Sequence, residues 1–470
     1  MMPLRNRKPV VAGLGLALLS LAGLANPASA SGSSTARAMG MGGAQSAIAD
    51  EADQGLWNPA LLAMPRRAPG NFLLFSSSVG AGLGNTFASF DTLRTLLPDA
   101  DGKRRTFTEA EWATFAAGLP EEGVGLIGDG GVRVAVASPF LRTGISATLD
   151  TSIRNIGIPR GLVDLLLRGN ANASSIPLAG LQGAAAYGVA NVAVSHAIPL
   201  PLGLGKASSL GITARYIPAM AFASVTEASG SALTVDEEGR LSANGHLRYE
   251  GVLSAPTAIA PPRPQESLLF DIGFANRWND NVTWSVMAAN IGSTLQAGPW
   301  TDKTVDLVLP PTTLGLDLSG GTPKAPDFSD VTQYGIGSRD GEARRTVTVP
   351  LLLRGGLAWE GDLGLRGRLS DILGDARSPY SFAMDLSQGL GEGFGVSRNP
   401  QVSMGLEGRP LGRWLALRTG VRLGGAYPMG GVGLGLDLRF FRLDLATGTV
   451  GGLFGNAKGS YLWLTSSLVL

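Results

Sequence analysis

The chain of 470 residues contains no cysteine and only two histidines. A disulfide framework is therefore excluded, as are zinc, haem and iron–sulfur sites that need thiolate ligands. Charged residues make up 16% of the chain, against a usual ~25%. Lys plus Arg (38) nearly balance Asp plus Glu (37), so the basic block that nucleic-acid binding requires is missing. We expect no nucleic-acid partner.

Long apolar runs are missing beyond residue 30, so the sequence predicts no transmembrane helix in the mature chain. Residues 1–30 instead have the pattern of a signal peptide. A basic start precedes an apolar stretch over Val10–Leu24, and Ala28-Ser29-Ala30 forms a small-residue cleavage site. A transmembrane anchor is the alternative, but the stretch is short for the ~20 residues that a span needs. We expect cleavage near Ala30.

Glycine is in excess, with 67 residues where the usual share is ~7% of a chain. Many segments alternate with a period of two, which is the period of a β-strand. Between residues 433 and 440, leucine or phenylalanine alternates with Gly435, Asp437 and Arg439. The same alternation occurs around residues 132–137, 210–215, 270–275, 282–286, 363–369, 382–387, 415–423 and 441–445.

These strands combine an uninterrupted apolar face with a face of glycine and of charges of both signs. Lipid contact requires the first face, and an enclosed lumen suits the second. Backbone groups in lipid must be paired internally, so such strands have to close. The sequence predicts an all-β fold: an antiparallel transmembrane β-barrel of about 14 strands (12–16) over residues 69–470. We expect it in the outer membrane of a Gram-negative-type bacterium; the alternative is a soluble exported β-protein.

The inward positions of the predicted strands carry arginine and aspartate. One interpretation is a paired network that stiffens the barrel and holds an internal segment; the other is a selectivity surface. Unpaired charges in a narrow lumen would be costly, so we expect neighbouring strands to pair them. The residues predicted to face the lumen are Arg366, Arg368, Asp385, Arg418, Arg422, Asp437, Arg439, Arg442 and Asp444.

The longest interruptions of the strand pattern, at about 91–129, 155–183, 219–265 and 294–345, are predicted to be long outer loops. Two of them contain short helical patterns, one opening at Thr108 and ending at Ala117, the other over Leu162–Arg168. Aromatic residues near strand ends are expected at the membrane interfaces. They are Trp278, Trp300, Trp359, Trp414, Tyr427, Tyr461 and Trp463.

Residues 31–68 differ from the rest in being rich in small residues, which permit close backbone packing. Asn58 suits the N-cap of a helical turn and Pro59 its first position. A stretch packed in this way suits a confined space. Its motif residues are Gly40, Gly42, Gly43, Asp50, Asn58, Pro59 and Ala60.

The order of these motifs resembles the start of FadL-type outer-membrane barrels and of their PorV and conjugative TraF-like relatives. The similarity is specific over residues 37–63. It implies a 14-stranded barrel in which residues 31–68 form a hatch, or plug, with Gly40–Ala63 inside the barrel, and through which hydrophobic molecules pass. The strands after residues 199–203 and the block 406–445 look more like the TraF/PorV side, whose likeness implies a scaffold or a secretion- or conjugation-associated barrel.

Catalytic patterns are lacking. His196, near a strand end, and His246, expected in a loop, are too isolated for a metal site or a catalytic triad, and no nucleophile elbow accompanies them. We expect no enzyme activity, cofactor or metal. The first functional hypothesis is a passive channel for small hydrophobic compounds, with lipid and such a ligand as partners. The second is a non-transporting barrel that binds a protein partner, and the third is a soluble exported protein.

Overall fold

The computed structural model describes fifteen stretches of the chain. They are residues 35–65, 72–87, 89–91, 124–158, 174–235, 240–254, 268–292, 294–297, 300–313, 334–341, 345–361, 380–391, 396–411, 414–438 and 440–470. The predicted signal peptide, both predicted loop helices, and Arg366, Arg368 and Arg439 lie outside the described residues.

Strands dominate the described residues. Their bounds are β1 Leu74–Asn85, β2 Val124–Ser138, β3 Thr143–Ile158, β4 Ser174–Pro177, β5 Ala185–Leu200, β6 Ala207–Val235, β7 Arg240–Ser254, β8 Leu268–Arg277, β9 Val282–Ile291, β10 Thr294–Ala297, β11 Trp300–Thr313, β12 Tyr334–Gly341, β13 Arg345–Thr348, β14 Leu352–Gly361, β15 Tyr380–Gly389, β16 Gln401–Gly408, β17 Leu415–Gly424, β18 Met429–Asp437, β19 Phe441–Val450 and β20 Gly459–Val469.

Helical structure among the described residues is confined to short pieces. They are α1 (Ala36–Gly40), α2 (Gln54–Trp57) and three 3₁₀ helices (Pro59–Ala63, Ala179–Leu181 and Phe454–Asn456). None of them is long and apolar enough to cross a membrane.

Fourteen of the strands close into an antiparallel barrel. The order around it is β1-β2-β3-β5-β6-β8-β9-β14-β15-β16-β17-β18-β19-β20, and β20 pairs with β1 from Gly84↔Gly459 to Leu74↔Val469. Closure leaves no edge strand in this ring, so its backbone groups pair internally. The predicted architecture and strand number are confirmed.

The two faces of the barrel strands differ as the alternation predicts. On β2, Val132 and Val134 are exposed outward, whereas Arg133 between them is buried on the inside. On β18, Val432 and Leu434 are exposed and Asp437 is buried. The outer wall is therefore an apolar surface suited to acyl chains.

The loop prediction for residues 219–265 and 294–345 is wrong over much of its length. β6 continues past the barrel to Val235 and pairs with β7, which pairs with β11, which pairs with β12. β4 adds to the far end of β6. On β7 of this sheet extension, His246, Arg248 and Glu250 alternate with Leu247 and Tyr249, and Arg248 forms an ion pair with Asp302 of β11. His246 is likewise in strand β7, beside Asp306, and not in a loop.

The interface prediction fails for Tyr461 and Trp463. Both are buried on the inner face of β20, opposite the exposed Leu462 and Leu464. They share the inward positions with Gly459 and Thr465, so period two places them inside. Trp278 and Trp414 are exposed, in keeping with an interface position.

The lipid face gives a test of depth. Leu436, which the alternation places on this face, is one residue from the end of β18, so it lies near an interface. Leu434 is nearer mid-strand and pairs with Leu417 and Leu445. We expect Leu434→Arg to lower the free energy of unfolding in vesicles by about 2–4 kcal/mol and Leu436→Arg by about 0–1 kcal/mol. Equal losses at the two positions would contradict this placement.

Candidate functional site

The inside of the barrel is occupied by the N-terminal segment, residues 35–64. Nearly all of this segment is buried. It begins at α1 against β18, β19 and β20, passes β17, β16 and β15, and ends in the 3₁₀ helix Pro59–Ala63 against β5, β6 and β8. Its contacts fall near the middle of the barrel strands, as with Met41 against Gly405 and Gly420.

The glycines of the Gly40–Gly43 motif are required by the backbone. Gly42 and Gly43 have φ angles of +65° and +90°, a region that side chains disfavour. Gly40 packs on Gly433 of β18 so closely that a Cβ would lie 3.0 Å from its Cα. The motif therefore turns the chain and brings it against the wall.

The barrel wall contributes matching glycines. A Cβ on Gly420 of β17 would overlap the backbone of Met41 and Gly42, and one on Gly211 of β6 would overlap Pro59 and Ala60. The excess of glycine on the inner face thus allows the segment's backbone to lie directly on the wall.

The Asn58-Pro59-Ala60 motif fixes the end of the segment. The side-chain oxygen of Asn58 accepts a hydrogen bond from the Ala60 N–H (3.0 Å), which caps the 3₁₀ helix. Its amide nitrogen donates to the carbonyls of Phe274 and Val286, each at 3.2 Å, on β8 and β9. One fully buried side chain therefore joins the segment to two barrel strands.

A buried ionic network, the Glu407 cluster, holds the start of the segment. Glu407 of β16 accepts hydrogen bonds from Arg37 of α1 (3.1 Å), Arg409 (2.7 Å) and Arg418 of β17 (2.6 Å). Arg418 also contacts Asp444 of β19, and Arg37 also contacts Asp50 of the segment. Three arginines thus meet three carboxylates, of which Glu407 and Asp444 are buried and Asp50 is exposed.

Further polar contacts fix the middle of the segment. Asp385 of β15 accepts hydrogen bonds from the backbone N–H groups of Gln45 and Ser46 (2.9 Å each) and from the Ser46 hydroxyl (2.7 Å). Asp53 pairs with Arg133 of β2 at 2.8 Å. The segment is therefore bonded to opposite sides of the barrel.

Glu51 of the segment contacts Arg442 of β19 at 3.3 Å, and Arg442 also contacts Asp437 at 3.5 Å. Burial, with the nearby charge of Asp444, raises the pKa of the Glu51 carboxyl to about 7. The protonation state of Glu51 therefore depends on its burial and on the charges of Asp444 and Arg442.

The structure places every described residue of the predicted lumen set in the buried interior. Asp385, Arg418, Asp437, Arg442 and Asp444 belong to the contacts above, and Arg422 stands apart. Glu407, Arg409, Arg37, Asp53 and Arg133 were not predicted as site residues. A signal for Glu407 exists, because it alternates with Leu406 and Met404 on β16.

Two cavities flank the segment. The cavity on the side where β1 begins and β20 ends has a volume of about 110 Å³ and is lined by charged residues such as Arg277, Glu360 and Arg409. The cavity towards the opposite end, about 60 Å³, lies beside Leu56 of the segment. Part of its wall is an apolar cluster on the inner face, and the rest is polar, with charged residues such as Arg133, Asp150 and Arg354. Members of the apolar cluster that line the cavity are Val189, Ile217, Leu269 and Val349.

Comparison with known proteins gives similarity in fold only. No protein-family model and no curated protein matches the chain. The toluene transporter TbuX of Ralstonia pickettii is 9% identical, with a TM-score of 0.47 over 93% of this chain and 98% of that chain. The Pseudomonas putida toluene transporter TodX is 11% identical (TM-score 0.45; 92% and 96%), and a Pseudomonas aeruginosa FadL homologue is 11% identical (TM-score 0.46; 93% and 98%).

Proposed function

We propose that this chain is an outer-membrane channel for small hydrophobic compounds, in which the N-terminal segment acts as the plug. The supporting observation is the apolar side of the cavity of about 60 Å³ beside Leu56, whose remaining lining is polar and includes charged residues such as Arg133 and Asp150. The surface of an apolar compound that enters there leaves water and contacts Val189, Ile217 and Leu269 on the inner wall, which is favourable. The plug then lies between this cavity and the other end of the barrel.

A pair of valines on β5 provides the test. Val189 lines the apolar side of the cavity, whereas Val192, on the same strand, is 41% exposed on the outer face. We expect Val189→Trp to fill the cavity and to slow uptake of the apolar dye N-phenyl-1-naphthylamine by cells that produce the protein. Val192→Trp should leave uptake at the wild-type rate. Equal uptake by both variants and by cells lacking the protein would reject the channel.

The second candidate function is a barrel that transports nothing and binds a protein partner. The Glu407 cluster favours it, because three guanidinium groups on one buried carboxylate hold the segment firmly. Dye uptake that stays at background even when the plug is displaced would support this alternative.

A further inference from the structure

One arginine on the inner wall forms no ion pair with any described residue. Arg422 of β17 is 7% exposed, and its guanidinium makes no hydrogen bond and no ion pair with any described residue. Arg418, four residues earlier on the same face, contacts both Glu407 and Asp444. Arg422 therefore differs from its neighbour in being a buried cation with no hydrogen bond or ion pair to a described residue.

The Arg422 guanidinium borders two small cavities. One, of about 30 Å³, is also lined by Arg154, Asn399, Gln401 and Tyr427. The other, of about 20 Å³, is also lined by Met39, Asp129, Tyr427, Tyr461 and Trp463. Both cavities exceed the roughly 10–15 Å³ that one water needs, and a small ion of similar size fits the same space.

The charges around these cavities favour an anion. Arg154 and Arg422 are the positive groups, and Asp129 is the negative one. Asp129 is occupied elsewhere: it accepts a hydrogen bond from Ser152 (3.0 Å) and lies 3.6 Å from Arg154. The excess positive charge thus rests on Arg422, whose five N–H donors match the oxygen atoms of a carboxylate or the surface of a halide.

The plug forms one side of this site. Gly43 lies against Arg422, and a Cβ at Gly43 would be 2.8 Å from the Nη2 atom. Nearby, the Tyr461 hydroxyl donates to the Met39 carbonyl (3.0 Å), which ties the same part of the plug to β20. An ion held by Arg422 would therefore lie where the plug meets β17.

We propose that Arg422 is the centre of a binding site for a small monovalent anion, either a halide or a small carboxylate. Burying a charge is tolerated when it is paired, and a bound anion supplies the missing partner. The site is separate from the cavity beside Leu56, so it does not depend on passage of hydrophobic compounds.

Thermal unfolding of the purified full chain in detergent tests this site, with sodium bromide and sodium formate compared with sodium sulfate at equal ionic strength. We expect bromide or formate to raise Tm of the wild type in a saturable way, since ligands that bind only the folded state stabilise it. Arg422→Gln should abolish this rise. Arg248→Gln, which alters an exposed ion pair outside the barrel, should retain it.

The two salts identify the class of anion that binds. A rise in Tm with bromide alone indicates a halide site, and a rise with formate alone indicates a carboxylate site. No rise with either salt, or the same rise in Arg422→Gln, would overturn the proposal. Should Arg422→Gln fail to fold, crystals of the wild type grown in bromide decide. An anomalous peak beside the Arg422 guanidinium, or formate density there in crystals grown in formate, supports the site, and the absence of both overturns it.

Discussion

Gly420→Ala should displace the plug and raise the conductance of the barrel in planar bilayers to that of a chain lacking residues 35–64. Met41 lies between Gly420 of β17 and Gly405 of β16. A Cβ on Gly420 would overlap the Met41 and Gly42 backbone, and a Cβ on Gly405 would already be 2.6 Å from the Met41 carbonyl oxygen. The backbone of the plug therefore has no free space on either side, and close-packed interiors do not absorb an added methyl cheaply.

Gly144→Ala is the matched control. Gly144 of β3 also faces the plug, but a Cβ there would meet its nearest neighbour, the Leu62 side chain, at 3.6 Å, which is an ordinary contact. We expect this variant to keep the wild-type conductance. Low conductance in Gly420→Ala, with high conductance in the chain lacking residues 35–64, would show that the plug tolerates the methyl group.

The barrel itself was predictable from the sequence, because strand alternation is a local property of the chain. Val132, Arg133 and Val134 show which face is apolar without knowledge of any partner strand. The same rule placed Asp385, Arg418 and Asp444 inside. It also applies to Tyr461 and Trp463, which were assigned to an interface from residue type where period two would have placed them inward.

Contacts between the plug and the wall were not predictable in this way. Arg37 and Glu407 are 370 positions apart, and no local pattern relates them. The sheet extension of β6, β7, β11 and β12 was also missed, although β7 carries a period-two signal in which His246, Arg248 and Glu250 alternate with Leu247 and Tyr249. The frequent glycines on the polar faces could be read from the sequence. That they allow the N-terminal segment to lie against the wall could not be inferred without the position of that segment.

The Glu407 cluster should give the largest loss of stability. Glu407→Gln keeps the shape of the side chain but leaves Arg37, Arg409 and Arg418 with one carboxylate fewer. Breaking a buried ion pair by removing one partner costs about 3–5 kcal/mol, since an uncompensated charge remains buried. We expect a loss of this order in the free energy of unfolding in vesicles, measured by urea titration. Adding Arg37→Met to the Glu407→Gln variant should recover part of the lost stability, because the network then lacks one cation as well as one anion.

Asp280→Asn is the control. It makes the same change from an acid to an amide, but in an ion pair that is exposed to solvent. Asp280 contacts Lys206 at 2.5 Å, but the side chains are 76% and 57% exposed. Exposed pairs contribute about 0–1 kcal/mol, so this variant should unfold close to the wild type. A loss in Glu407→Gln no greater than in Asp280→Asn would mean that the cluster does not hold the plug. With the expected difference, the N-terminal segment and the barrel wall share one ionic core, in which Arg37 and Glu407 are in direct contact.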